Sequence, residues 1–254
     1  MGGLSHKLYI MPNPTASIII IGNEILSGRT LDTNTQYIAQ KLSAIGINLI
    51  EARIIADDHN AIISTVSELR RRYDYVFTAG GIGPTHDDIT SQAIADAFDT
   101  DLELNHTAYQ LLKDSYHNIG QELNQAREKM AYLPKNSILI NNPISTAPGF
   151  IMENVYVMAG IPHIMQAMLE QILPTLKHGK VINTRNIDIM IGESILAKDF
   201  SSLQDKYPEV EMGSYPFKID QSHGTSLVLR SPDRVQLEQA YAELSELVKN
   251  YKKI

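Results

Sequence analysis

Apolar residues along the chain alternate between two rhythms. Thr15 to Ile21 is a compact, β-branched run ending at Gly22, the pattern of a strand buried on both faces. The period then lengthens. Tyr37, Ile38, Leu42 and Ile45 recur at intervals of one, four and three, which predicts a helix capped by Asp32 or Thr33 and ended at Gly46. Ile47 to Ile55 returns to strand character. Ile62, Val66 and Leu69 then mark one face of a helix that starts at Asp57 or Asp58, and Arg70, Arg71 and Arg72 close its last turn as complements to the helix dipole. Tyr75 to Ala79 is a third short apolar run. Strand, helix, strand, helix, strand implies parallel pairing through right-handed crossovers, hence an α/β sheet covered by helices on both faces.

Further along, a helix covers Ile94 to Phe98, and Asn105 to Lys129 is richer in amide and charged side chains. Gln110 to Tyr116 and Gln121 to Met130 have helical composition with Gly120 between them, so a helical pair is expected there, serving as a lid or an oligomer contact that the sheet itself does not require. Leu111, Leu112 and Tyr116 form a stripe at helical spacing, suited either to the chain's own sheet or to a seam between subunits. Ser137 to Asn141 and Asn154 to Ala159 read as strands flanking a loop, and Pro162 to Leu176 reads as a helix opened by proline. Gly179 marks a boundary. Beyond it Val181 to Ile191, a helix from Glu193 to Tyr207, strands at Glu209 to Tyr215 and Thr225 to Arg230, and a helix from Asp233 to Tyr251 make an α+β unit. The organisation expected is an unstructured leader over 1–14, an α/β domain over 15–178 and a small α+β domain over 179–254.

Composition narrows the chemistry. With 254 residues, 43% of them hydrophobic and 20% charged, the chain can bury a sizeable core. A net charge of −7 argues against a nucleic-acid surface over the whole chain. The absence of cysteine excludes a disulfide framework, a thiolate metal site and a Cys nucleophile. No apolar run approaches the roughly 20 residues of a membrane span, and Met1 to Pro14 lacks the apolar core of a secretory signal. The expectation is a cytoplasmic protein without a membrane partner.

The stretch that carries chemistry is Gly80-Gly-Ile-Gly-Pro-Thr-His-Asp-Asp-Ile-Thr90. Gly80, Gly81 and Gly83 permit a sharp turn and close approach to a ligand without a Cβ in the way. Thr85 is placed to cap the following helix, whose N–H groups and dipole favour an anion. Asp87 and Asp88 either complement that dipole or, beside a phosphate, share a divalent cation such as Mg²⁺ with it. Gly22 to Arg29 and Met158 to Pro162 form two more corners after strands, so backbone N–H groups from several places can converge on one crevice. Ser27 and Arg29 are further anion contacts, and Asp57 ends the second strand near them. His86, His163 and His223 read as exposed and incidental.

Taken together, Gly22-Asn-Glu-Ile-Leu-Ser-Gly28, Asp32-Thr-Asn34, Ala56-Asp57-Asp58, the Gly80 to Thr90 segment, Asn142-Pro with Thr146-Ala-Pro-Gly-Phe150, and Gly160-Ile-Pro162 resemble the molybdopterin-binding domain of the competence/damage-inducible protein A family, over residues 15 to 176. The resemblance implies a three-layer α/β sandwich with a mostly parallel sheet (MoaB/Mog-like) and a small α+β unit behind it. No deamidase or adenylyl-transfer domain is expected within this chain. It implies a phosphorylated pterin or adenine dinucleotide as ligand and, for part of the family, metal-dependent cleavage of a pyrophosphate as in FAD or ADP-ribose. The residues it assigns are Asp57 and Asp88 as catalytic, with Asp57, Asp87 and Asp88 as ligands to Mg²⁺ or Co²⁺. Gly22, Glu24, Ser27, Gly80, Gly81, Gly83, Thr85, Thr146, Gly160 and Pro162 fall in the binding set. The sequence departs from common family residues at Asn23, Ser145, Ala159 and Ile164, where relatives often carry Asp, Gly, Pro and Glu. Two functions therefore stand open: a metal-dependent nucleotide pyrophosphatase, or a non-hydrolytic or adenylylating protein of molybdenum cofactor synthesis. A twofold homodimer is the expected assembly.

Overall fold

The computed structural model describes residues 13–219 and 222–251. Most of the leader expected over 1–14 therefore lies outside the described residues. At its end the Pro14 carbonyl accepts a hydrogen bond from the Asn48 N–H at 2.8 Å, which joins the approach to the first sheet.

The described residues divide into two compact units that part between Gly179 and Lys180. In the first, the elements in chain order are β1 (Thr15–Ile21), α1 (Asn23–Leu26), α2 (Asn34–Ala44), β2 (Asn48–Ile55), α3 (His59–Arg72), β3 (Tyr75–Ala79), α4 (Thr90–Ala97), β4 (Leu102–Leu104), α5 (His106–Asn118), α6 (Gln125–Glu128), β5 (Tyr132–Pro134), β6 (Ile138–Ile140), β7 (Gly149–Met152), β8 (Val155–Met158) and α7 (Pro162–Ile172). Six strands form one sheet in the order β2-β1-β3-β8-β7-β6. β2, β1, β3 and β8 run parallel, and β7 and β6 add an antiparallel edge. β4 and β5 form a separate antiparallel pair.

Period-two alternation in β1 builds the layers. Ala16, Ile18 and Ile20 face a cluster with Ile38 and Leu42 of α2 and Met165, Met168 and Leu169 of α7. Ile19 and Ile21 face the other way, into a cluster with Ile62, Val66 and Leu69 of α3, Ile94 of α4 and Leu112 of α5. Each such side chain removed from water stabilises the fold by roughly 1.5–3 kcal/mol. The result is a helix–sheet–helix sandwich with a mostly parallel sheet, as the alternating pattern implies.

Several expectations are corrected. The helix after the glycine turn starts at Thr90, with Ile89 as its N-cap, so Thr85 does not cap it and Asp87 and Asp88 precede its first turn. Pro84 and the carboxylate-bonded Thr85 hold this stretch as a loop instead. Of the two acids offered as the start of α3, Asp58 is the N-cap, its Oδ1 accepting from the Ala61 N–H at 2.8 Å. Leu112 is fully buried in its own unit's core and Leu111 is 43% exposed, so the Leu111–Leu112–Tyr116 stripe is not one exposed seam. β4, β5 and β7 stand where no strand was expected.

The second unit contains β9 (Asn183–Ile189), α8 (Glu193–Lys206), β10 (Glu211–Ile219), β11 (Ser222–Ser231) and α9 (Arg234–Tyr251). Its antiparallel sheet has the order β10-β11-β9, and Leu227 and Leu229 pack with Leu196, Phe200, Leu237 and Leu244 of the two helices. Among the described residues no helix is long and apolar enough to cross a membrane.

Candidate functional site

Because β1, β3 and β8 are parallel neighbours, their carboxyl ends emerge together, and a glycine follows each within two residues. The Gly80 N–H donates to the Met158 carbonyl at 3.1 Å and the Gly22 N–H to the Ile55 carbonyl at 3.1 Å, so the corners continue the ladder past the strands. Gly80 has φ +120°, and a Cβ there would lie 2.0 Å from the Ile21 carbonyl oxygen. At Gly81, with φ +69°, a Cβ would lie 2.1 Å from Thr90 Oγ1. These glycines therefore make room for the protein's own backbone and for Thr90, which corrects the view that a Cβ would intrude mainly on a ligand. Thr90 is fully buried; its hydroxyl donates to the Gly80 carbonyl at 3.1 Å and its N–H to the Gly81 carbonyl at 3.0 Å, closing the base of the loop.

Above the corners lies a cavity of about 580 Å³. Of the residues assigned from sequence, Glu24, Asp57, Gly80, Gly81, Gly83, Asp87, Asp88, Gly160 and Pro162 line it. Gly22, Ser27, Thr85 and Thr146 do not, and each has a local task. Gly22 lies under the Glu24 carboxylate, which a Cβ would approach to 2.6 Å. Ser27 follows α1 and donates its hydroxyl to the Glu24 carbonyl at 3.2 Å. The Thr85 hydroxyl donates to the carboxylates of Asp87 and Asp88, at 2.6 Å for Asp88 Oδ2, which also accepts from the Thr85 N–H at 2.8 Å. Thr146, at φ +68°, is hydrogen-bonded to Ser115 Oγ at 2.9 Å. Arg29, His86, His163 and His223 are exposed.

Electrostatics follows from these bonds. Asp57 Oδ2 accepts from the Asn23 N–H at 2.8 Å, which fixes that carboxylate at the start of α1. The Thr85 hydroxyl holds the Asp87 carboxyl below its ordinary value, and the charge of Lys129 adds to this. Lys129 Nζ itself donates to the Thr85 carbonyl at 2.6 Å, tying the loop to the 105–131 excursion. Asp87 and Asp88 meet at the Thr85 hydroxyl, and among the described residues no group of three or more His, Asp or Glu side chains is placed to hold a metal ion.

Other lining residues escaped the sequence reading. Tyr116 and Met130 come from the excursion, so that segment is part of the cavity wall and not an accessory to it. Asn142, 4% exposed, shapes the loop after β6: its amide donates to Ser145 Oγ and the Ala147 carbonyl, and its Oδ1 accepts from the N–H groups of Ile144 and Ser145. An Asn before Pro was visible as a motif, but its role as the loop's internal scaffold was not. Three of the departures from common family residues, Ser145, Ala159 and Ile164, also line the cavity.

A three-layer α/β domain with glycine corners and a cavity outside the carboxyl ends of its parallel strands belongs to the class of α/β proteins built on open, mostly parallel sheets. The chain belongs to the family described as probable molybdopterin binding domain, whose model matches residues 17–178. Residues 181–253 match the model of the FAD synthase middle domain. A CinA-like protein of Citrifermentans bemidjiense is 34% identical over 245 residues, covering 92% of this chain and 58% of that protein, so this chain spans about three-fifths of that relative's length. A protein of Caldivirga maquilingensis is 39% identical over 166 residues, 64% of this chain and 65% of its own length. Among solved structures, the protein CinA of unknown function from Thermoplasma acidophilum has a TM-score of 0.59 at 33% identity, covering 63% of this chain and 98% of that one.

Proposed function

We propose that the cavity binds a phosphorylated pterin or an adenine dinucleotide and, with a divalent cation such as Mg²⁺ or Co²⁺, hydrolyses a pyrophosphate bond of the FAD or ADP-ribose type. The observation that carries this reading is the meeting of the Gly80–Gly83 turn, the Gly160 corner and the carboxylates of Glu24, Asp57, Asp87 and Asp88 on one cavity of about 580 Å³. Backbone N–H groups at strand-to-helix corners suit anionic oxygens, and acids beside them suit a ligand that brings a cation. Mg²⁺ is commonly held by one or two carboxylates plus substrate phosphates, so these acids fit a cation that arrives with the ligand. Asp57 and Asp88, with Asp87, would hold it, and when bound it supplies charge neutralisation and a more acidic water.

The chain's own residues do the positioning. Thr85 fixes Asp88 and the Asn23 N–H fixes Asp57, and the backbone of the Gly81–Gly83 turn, beyond the Gly80 N–H that the sheet takes up, would meet the phosphates. In the hydrolysis, the water oxygen bonds to one phosphorus, the bridging P–O bond breaks, and the bridging oxygen leaves on the second phosphate. The water's proton passes to a cavity carboxylate that does not hold the cation, for which Glu24 is placed in the lining. A second reading, a non-hydrolytic binder or an adenylylating protein of cofactor synthesis, is favoured by the apolar Ile164 in the wall.

Incubation of the purified protein with FAD, ADP-ribose or molybdopterin, with and without Mg²⁺ or Co²⁺, separates the two by chromatography of mononucleotide products. Asp88→Asn is expected to lower turnover by about a hundredfold or more while leaving the thermal transition in place. Tight binding of ADP-ribose without any mononucleotide released would refute hydrolysis and leave the binding reading standing.

A further inference from the structure

We infer that Tyr116 is the stacking platform for the planar heteroaromatic ring of the ligand. This rests on reading the cavity as a pterin or nucleotide site and adds where the ring is held. Among the described residues Tyr116 is the one aromatic side chain lining the cavity. It lies in the last turns of α5, half-buried, with its ring packed at the margin of the core that includes Leu112 and Met130. The Arg127 guanidinium covers the ring, its central carbon 4.2 Å from the ring centroid.

Arg127 is itself held by the excursion and does not line the cavity. Its Nη1 donates to the Glu122 carbonyl at 2.9 Å and its Nη2 to Gln121 Oε1 at 2.7 Å, while its backbone N–H is capped by Asn124 Oδ1 at 3.0 Å. The Arg127 cation occupies one face of the ring, and Tyr116 lines the cavity with part of the surface that remains. The ring is thereby ordered before a ligand arrives, which lowers the entropic cost of stacking. Met130, from the same segment and the same core cluster as Tyr116, is apolar, whereas the acids and glycine corners come from the ends of the strands and the loops that follow them. The site thus divides its labour: strand ends for phosphates, excursion for the ring.

Calorimetry with ADP-ribose, a pterin monophosphate and ring-free inorganic pyrophosphate tests this on the whole protein. Tyr116→Leu keeps apolar packing and removes the aromatic face; it should weaken at least one ring-bearing probe by about tenfold or more and leave pyrophosphate unchanged. Tyr116→Phe should restore the affinity to within about twofold, since the face and not the hydroxyl is used. Whichever of the adenine and pterin probes loses affinity identifies the ring that is stacked. Equal losses for pyrophosphate and ring-bearing probes would show a merely structural role and overturn the inference, as would unchanged affinities throughout. Ring-bearing probes bound equally well by wild type and by Tyr116→Leu overturn the platform alone; a wild-type protein that binds neither ring-bearing probe overturns the underlying reading as well.

Discussion

Both units of this chain pack helices on a sheet, and they differ in strand direction. In the first, β1, β3 and β8 run the same way, so their carboxyl ends, glycine corners and following loops gather at one edge. In the second, β9, β10 and β11 are antiparallel, and neighbouring strands end at opposite edges. Both units carry ion pairs, Arg53 with Glu51 and Glu68 among those of the first, but most of the cavity acids stand apart. The second unit pairs Arg185 with Glu238, and Lys206 and Tyr207 with Glu243. In the first, Glu24, Asp57 and Asp88 line the cavity and form no ion pair among the described residues. It is their gathering around one cavity at the carboxyl ends of a parallel sheet that the proposed ligand reading rests on.

The largest expected break in this comparison is at the glycines. Gly80→Ala forces an unfavourable φ and drives a Cβ against the Ile21 carbonyl, so urea unfolding of the first unit should show a loss of about 3 kcal/mol or more. Gly192→Ala in the second unit meets nothing within 4 Å and should cost under about 1 kcal/mol, as an N-cap change. Comparable losses at both would mean that the corner is not specially packed.

A smaller effect is expected at Lys129. Its methionine variant removes the tether to the Thr85 carbonyl and a charge near Asp87, and should weaken pyrophosphate binding about two- to fivefold at low salt, fading as salt is added. Lys206→Met, in the second unit, serves as the control and should leave that affinity unchanged.

The smallest concerns acid stability. Hydrogen bonds from Arg53, reinforced by Arg72, lower the Glu68 carboxyl from its ordinary 4.5 to about 2. Unfolded, Glu68 takes up its proton near 4.5; folded, it resists until about pH 2, so its contribution is full above pH 4.5 and is lost as pH falls towards 2. Its side chain is 44% exposed, and screening keeps the effect modest. Glu68→Gln should flatten the acid limb of the melting temperature between those limits, and an unaltered limb would remove the pair from the account.

The parts of the fold legible in sequence were those whose apolar pattern is clear. β1, α3, β3 and α7 each carry a long apolar run or a repeating face. β4, β5 and β7 are short runs that contain Glu103, Pro134 and Gly149, residues disfavoured in strands, whereas β6 and β8, of the same lengths, are unbroken apolar runs and were read as strands. The glycine corners and acids were legible because chain order and parallel pairing bring them together. Tyr116 and Met130 were not, since their place in the wall depends on how the excursion folds back. Thr85, Ser27 and Thr146 look like ligand donors by type, yet their hydroxyls are engaged within the protein.

The glycine-packed corner has a consequence for how this binding site can be re-engineered. A Cβ at Gly80 or Gly149 meets backbone oxygen at 2.0 or 2.3 Å, so the spacing of the strand ends is set by main chain and offers no side chain to exchange. The excursion side of the pocket is built from side chains, among them Tyr116 and Met130. Selection or design can reshape that wall one residue at a time without disturbing the corner, so that, on the proposed reading, the end that meets the phosphates would stay fixed while the end that meets the ring could be exchanged.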